Sequence, residues 1–245
     1  MVGSVDVVML TRNSERKLKE CLESVYRNVP VAHLIVVDGC STDKTITILN
    51  QFNEKYHTVN IICDKGNRAT ARQEGISQVT TSWFMFVDSD VILCNGWFEK
   101  AQKYISGDAG AVWGTEVWST IRNPVTLKLF LLITRKIFEV RGGTHDTLIR
   151  TELVKDIEIP KKLHVYEDAY IKDWIEHKGY RVIPCYIPFC IHHRPPSVWT
   201  ARGSVGLMAE AFTLGDSRLI GKLLSAYGFY TAYAIYQVAR QESRH

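Results

Sequence analysis

Short apolar runs alternate along this chain with stretches in which apolar residues recur every three or four positions. Residues 5–10, 34–37, 60–63 and 83–87 have the length and the β-branched and aromatic content of buried strands. Between the first two, Leu18, Cys21, Leu22 and Val25 recur at helical spacing, predicting a helix over 13–26. Ser41-Thr42-Asp43 can cap a helix running to about residue 56, and a further helix is predicted over 67–78. Strand and helix alternate, which predicts an α/β fold with a mainly parallel, doubly wound sheet and right-handed crossovers. Beyond residue 95 the pattern loosens. A strand is predicted over 110–117, an apolar helix over 125–140, a glycine-bearing loop over 141–144, a helix over 168–178 and a last strand over 180–184. A tail follows from about residue 195, with an apolar stretch over 219–239.

Three of these strands stop at residues able to hold a ligand. The first ends in Thr11-Arg12-Asn13, the second in Asp38-Gly39, and the fourth in Asp88-Ser89-Asp90. In a parallel sheet, ligands bind outside the carboxyl ends of the strands, where these groups converge. Two carboxylates one residue apart at such an exit can hold a hard divalent cation against a diphosphate. Each group alone also reads as an ordinary turn or cap. It is the series that points to a nucleotide site.

Composition narrows the class. The chain has 245 residues, 46% hydrophobic and 23% charged, which fits one large folded domain or a domain with a small appendage. A net charge of +4 suits anionic ligands or an acidic surface, and no basic block marks a nucleic-acid footprint. None of the six cysteines forms a C-x-x-C pair, so a zinc site or a disulfide framework is not expected and a reducing compartment is. The first residues enter a strand without a charged and apolar leader pattern, so no signal peptide is expected.

Together these residues resemble the family 2 glycosyltransferases with the GT-A fold. The resemblance runs over about residues 5–194. It is carried by Thr11-Arg12-Asn13, Asp38-Gly39-Cys40-Ser41-Thr42-Asp43, Lys65-Gly66-Asn67-Arg68 with Ala71-Arg72-Gln73-Glu74-Gly75, Asp88-Ser89-Asp90 and Glu167-Asp168. It implies a GT-A, Rossmann-like domain over 1–195, with a nucleotide-binding half (1–95), an acceptor-binding half (96–195) and a helical, membrane-proximal tail over 196–245. It also implies roles. Asp38 would receive the nucleobase imino hydrogen, and Thr11, Arg12 and Asn13 would line the nucleoside pocket. Asp64, Lys65 or Arg68 would sit near base, ribose or diphosphate. Asp90 would be the principal ligand of Mg²⁺ or Mn²⁺, with Asp88 on ribose or metal and Ser89 beside it. Asp168 would be the base of an inverting reaction, and Glu167 would orient acceptor or donor sugar. A late histidine ligates metal in some members. His192 is the choice here over His193, because neighbours on an extended segment face opposite ways, and Arg194 would lie near phosphate. Gly143, in a loop with His145 and Asp146 as candidate sugar contacts, would allow close approach of a ligand. Cys40 departs from the family pattern. The Q-x-x-R-W motif of polymerising relatives is absent, which disfavours processive synthesis.

The implied activity is metal-dependent transfer of a hexose from a GDP- or UDP-sugar. The likeness to archaeal-type lipid-linked mannosyltransferases favours mannose from GDP-mannose and a lipid-linked or glycan acceptor. The alternatives are a sugar-phosphate nucleotidyltransferase, which would want a glycine-rich loop after the first strand where residues 11–15 hold no glycine, and a non-catalytic nucleotide-sugar-binding module. The helix over 125–138, with Lys128, Arg135 and Lys136, reads either as an interfacial helix or as a buried one. With the tail it places the chain at the cytoplasmic face of a membrane, peripheral or anchored.

Overall fold

The computed structural model describes residues 2–121, 123–141, 143–163 and 166–193, with the backbone alone for 133–141. Arg194 and the expected tail over 196–245 lie outside the described residues. The first half follows the strand–helix alternation: β1 (Val5–Thr11), α1 (Leu18–Asn28), β2 (Val31–Asp38), α2 (Thr45–Tyr56), β3 (Val59–Cys63), α3 (Arg68–Gln78) and β4 (Trp83–Val87). The second half adds β5 (Val91–Leu93), α4 (Trp97–Gln102), β6 (Ala109–Trp118), α5 (Pro124–Arg141), β7 (Asp146–Arg150), α6 (Glu167–His177) and β8 (Arg181–His192). One eight-stranded sheet joins them in the order β3-β2-β1-β4-β7-β6-β8-β5.

Strands β1 to β4 pair in parallel, as the alternation requires. β7 then runs antiparallel to both β4 and β6, and β5 antiparallel to β8. The sheet is therefore mixed rather than purely doubly wound. Four of the seven described pairings are parallel, the fourth being β6 with β8. Side chains alternate across β1. Val5, Val7 and Met9 meet α1, α2 and α4 in one core, while Val8 joins Ile76 of α3 and Ile171 and Ile175 of α6 in the other. At Gly75 an added Cβ would collide with Val8, so the glycine lets α3 approach the sheet closely.

Three local expectations need correction. The first helix starts at Leu18, not Asn13, because Asn13 adopts a left-handed backbone (φ 49°) that no helix continues. The last strand does not end at Pro184. It slips register between Pro184 and Phe189 and continues to His192. Two prolines that cannot donate to a ladder fall within this bulge region. Finally, Cys40 and Cys63 form a disulfide. β2 and β3 lie in register with Asp38 beside Cys63, and Cys40 turns back at φ 56°, so two sulfurs distant in sequence meet. The spacing of the cysteines does not reveal this pair, which joins the turn after β2 to the end of β3 against the expectation of no disulfide framework, while Cys21, Cys94, Cys185 and Cys190 are free.

Candidate active site

The loops after β1, β2 and β4 converge at the carboxyl edge of the parallel strands. Asp38 is 2% exposed and closely held. Its Oδ1 accepts from Thr11 Oγ1 and Ser41 Oγ, and its Oδ2 accepts from the Ser41 amide, all at 2.6 Å. Asn13 spans the same two loops, with its amide donating to Ser41 Oγ (2.8 Å) and its Oδ1 accepting the Thr42 amide (2.9 Å). Arg12 lies across Gly39, where a Cβ would crowd its methylenes. Ser89 joins this loop through Ser14, the two hydroxyls 2.9 Å apart.

The next turn is set by Asp64. It accepts from the Gly66 amide and from Thr70 Oγ1, each at 2.7 Å, while Asn67 and Thr70 form a reciprocal cap that starts α3. Asp64 is thus largely occupied in shaping the turn. Lys65 and Arg68 stand exposed beside it, where they are free to meet a diphosphate.

Asp88 and Asp90 leave β4 in different company. Asp88 Oδ1 accepts from Arg72 Nη2 at 3.3 Å. Burial alone would raise its pKa, but Arg72 first, then His192 and His145, hold it down at about 2. Asp90 Oδ1 lies 3.0 Å from His192 Nε2. The far nitrogen of that ring, Nδ1, is 2.8 Å from Glu116 Oε1, which also accepts from Trp118 Nε1 at 2.8 Å. The β6–β8 ladder, which pairs Trp118 with His192, builds this arrangement.

These groups suit a divalent ion. An aspartate oxygen and an imidazole nitrogen 3.0 Å apart can share one cation, with Asp88 beside them, and the oxygen-rich set fits Mg²⁺ or Mn²⁺. A carboxylate behind a ligating histidine fixes its tautomer and orientation, and Glu116 stands there. Glu116 and Trp118 were not singled out from the sequence. The available signal was a glutamate inside an otherwise apolar strand, 1% exposed in the fold.

Glu167 and Asp168 open α6. Glu167 is 3% exposed, its Oε1 accepts from Arg72 Nε at 3.3 Å, and its Oε2 is buried without a hydrogen-bond partner. Burial pushes its pKa up against the pull of Arg72. Asp168 is half-buried, and its Oδ1 accepts the Ala169 amide at 2.7 Å. A narrow slot beside it is also lined by Gly143, Thr144, Thr147 and Lys172, so the glycine loop and Asp168 are brought together.

Gly143 itself lies against the His145 ring, and its carbonyl accepts from Thr147 Oγ1. His145 and Asp146, the candidate sugar contacts of this loop, do not stand at the surface. Both are buried, because β7 pairs Asp146 with Val87 inside the sheet. Asp146 accepts from Trp97 Nε1 at 2.8 Å, and burial, with help from Glu116, outweighs His145 and Trp97 to push its pKa to about 6. Arg194 lies outside the described residues. His193 donates its amide to the Asp90 carbonyl (2.9 Å).

The fold has known counterparts. It aligns with the mannosyltransferase PcManGT from Pyrobaculum calidifontis, solved in complex with GDP-Man and Mn²⁺, at a TM-score of 0.72 and 17% identity, over 100% of this chain and 76% of that one. Staphylococcus aureus TarS, solved with UDP-GlcNAc, aligns at 0.61 and 21% identity, over 85% and 66%. The sheet is thus the mixed, mostly parallel sheet of the GT-A fold. By sequence, a poly(ribitol-phosphate) beta-glucosyltransferase of Bacillus spizizenii is 35% identical over 92 residues, 35% of this chain and 14% of that protein. The poly(ribitol-phosphate) beta-N-acetylglucosaminyltransferase TarS is 26% identical over 177 residues, 66% and 30%. The chain therefore spans less than a third of the length of either relative. The profile of the family described as Glycosyl transferase family 2 matches residues 6–138, more than half of the chain. The chain belongs to glycosyl transferase family 2.

Proposed function

We propose that this chain catalyses inverting, metal-dependent transfer of a hexose from a nucleotide-diphospho-sugar to an acceptor hydroxyl. The observation that carries this reading is the Asp90–His192 pair at the same strand-end crevice as the closely held Asp38. In this reading Thr11 and Ser41 fix Asp38 for the nucleobase, and Lys65 and Arg68 meet the diphosphate. Asp90 and His192, with Asp88, hold Mg²⁺ or Mn²⁺. When bound, the ion supplies neutralisation of the charge that develops on the leaving diphosphate.

Transfer is a single displacement at the sugar C1. The acceptor oxygen forms its bond to C1 as the C1–O bond to the diphosphate breaks, and the nucleoside diphosphate leaves with that electron pair. The acceptor proton passes to Asp168. A positioned base of this kind contributes about 10²- to 10⁴-fold.

For the donor, the likeness to PcManGT favours mannose from GDP-mannose. The 35% identity to the Bacillus spizizenii protein favours a second reading, a UDP-hexose delivered to a poly(alditol phosphate). A lipid-linked acceptor at a membrane surface is supported by α5. Its Phe130 turns inward onto Trp118, while Val125, Leu129 and Leu132 face outward at 76%, 52% and 64% exposure, beside Lys128. Among the described residues no helix is long and apolar enough to cross a membrane. The deciding experiment is nucleoside diphosphate release from a panel of GDP- and UDP-sugars, with Mn²⁺ or Mg²⁺ and with polyprenyl-phosphate, glycan or poly(alditol-phosphate) acceptors. Release from one donor, abolished by chelation, is expected. No release from any donor would overturn the reading.

A further inference from the structure

Arg72 lies at the centre of the site. The family motif includes it, but neither the nucleotide nor the metal reading uses it. It sits one helical turn after the exposed Arg68 on α3, yet is 3% exposed itself. Its guanidinium lies over the Phe86 ring at 4.7 Å. Nη2 reaches Asp88 Oδ1 and Nε reaches Glu167 Oε1, each at 3.3 Å. Phe86 and Asp88 are two residues apart on one strand and its exit, so they face the same side, and the planar fork rests on the first while reaching the second. The third contact comes from the opening residue of α6. One rigid cation therefore joins the end of the donor-side strand to the helix that carries Asp168.

We infer that Arg72 is a positioning residue that fixes the donor-side carboxylate Asp88 and the base-bearing start of α6 at one spacing, and so governs the chemical step rather than donor affinity. This rests on the proposed reading, because it takes Asp168 as the base. The physical reason is geometric. Glu167 is held on Oε1 alone, so its ring of contacts, and the direction of the next residue, depend on the guanidinium. A lysine keeps the charge but offers a point donor on a flexible stem, and cannot hold two carboxylates in the planar fork. Misplacement of about 1 Å across a reacting gap can cost about 10²-fold in rate.

The test compares wild type, Arg72→Lys and Glu167→Gln, each corrected for folded fraction by circular dichroism and thermal unfolding. Donor binding is measured by calorimetry with Mn²⁺, and transfer by steady-state kinetics. Both variants are expected to lose tenfold or more in kcat while donor KM and Kd stay within threefold. The double variant is expected to be no worse than threefold below Glu167→Gln alone, since the link is already cut. A rise in donor KM or Kd with kcat unchanged would make Arg72 a donor-binding residue and overturn the inference. So would unchanged kinetics per folded molecule, or losses that multiply in the double variant. Should Arg72→Lys fail to fold, a Glu167→Gln variant with unchanged kcat overturns the inference by itself. If wild type turns over no donor, it is the proposed function that fails, and donor calorimetry on wild type separates that outcome.

Discussion

Asp90 Oδ1 and His192 Nε2 lie 3.0 Å apart, one just past β4 and the other at the last position of β8. Neither strand pairs with the other. The contact exists because β5, only three residues long, returns the chain after Asp90 to pair Val91 with His192. A metal-competent pair is thus assembled by the shortest strand of the sheet.

Asp90→Ala should abolish Mn²⁺-dependent donor binding, because it removes half of this pair and leaves the diphosphate charge facing Asp88 unneutralised. Calorimetry with donor and Mn²⁺ measures it. Affinity that is unchanged and insensitive to chelator would make the acidic pair structural.

Glu116→Gln should weaken Mn²⁺ binding by about 10- to 100-fold, the usual cost of losing a carboxylate behind a ligating histidine. The amide keeps the size and the acceptor for Trp118 but can present the wrong group to Nδ1. Electron paramagnetic resonance of free Mn²⁺ during titration reads the affinity directly. An unchanged isotherm would remove His192 from the ligand set.

Asp168→Asn should lower kcat about 10²-fold or more with donor Kd nearly intact, since shape is kept and the proton acceptor is lost. Single-turnover transfer, alongside calorimetry, separates the two quantities. Near-native turnover in the folded variant would assign the base elsewhere.

Asp146 gives a stability prediction with a definite sign. Its folded pKa of about 6 lies above the ordinary 3.8, so the native state binds more protons than the unfolded state between those values. Stability therefore falls as pH rises from about 4 to 6, by up to roughly 3 kcal/mol if the whole shift is realised. Asp146→Asn keeps an acceptor for Trp97 and cannot ionise. In chelator, its melting temperature should gain on wild type steadily from pH 4 to 7. A constant difference across that range would show that Asp146 does not titrate there.

Acidic vesicles should retain the wild-type protein at low salt, through the outward stripe of Val125, Leu129 and Leu132. Lys128 beside it should add about 1 kcal/mol, near fivefold, lost in Lys128→Glu. The triple serine variant at the apolar positions should remain in the supernatant on co-sedimentation. If wild type stays there too, the lipid-linked acceptor loses its main support.

The sequence carried the parallel half of the fold clearly, because each of β1 to β4 is an apolar run stopped by a polar residue, and α3 announces itself with Asn67 and Thr70. The antiparallel half was harder to read. β5 has too few residues to show a period, and the prolines at 184 and 188 made β8 look finished where it only bulges. Acidic residues at strand exits could be read as ligand-bearing from topology alone. Arg72 and Glu116 could not, since their roles depend on partners that meet them only after α6 and β8 have docked. The same is true of His145 and Asp146, which look like loop polar residues in one dimension and prove to be interior groups once β7 pairs with β4.

The Cys40–Cys63 bridge has a consequence for how this protein meets copies of itself. β3 is the outermost strand on one side of the sheet, and an outer strand is the element most easily peeled off and exchanged with a neighbour. Here its last residue is tied covalently to the turn that follows Asp38, on the strand it already pairs with. Strand exchange between two molecules would first require the bond to be reduced. Among the described residues, that border of the sheet is thus guarded against strand exchange by covalent chemistry.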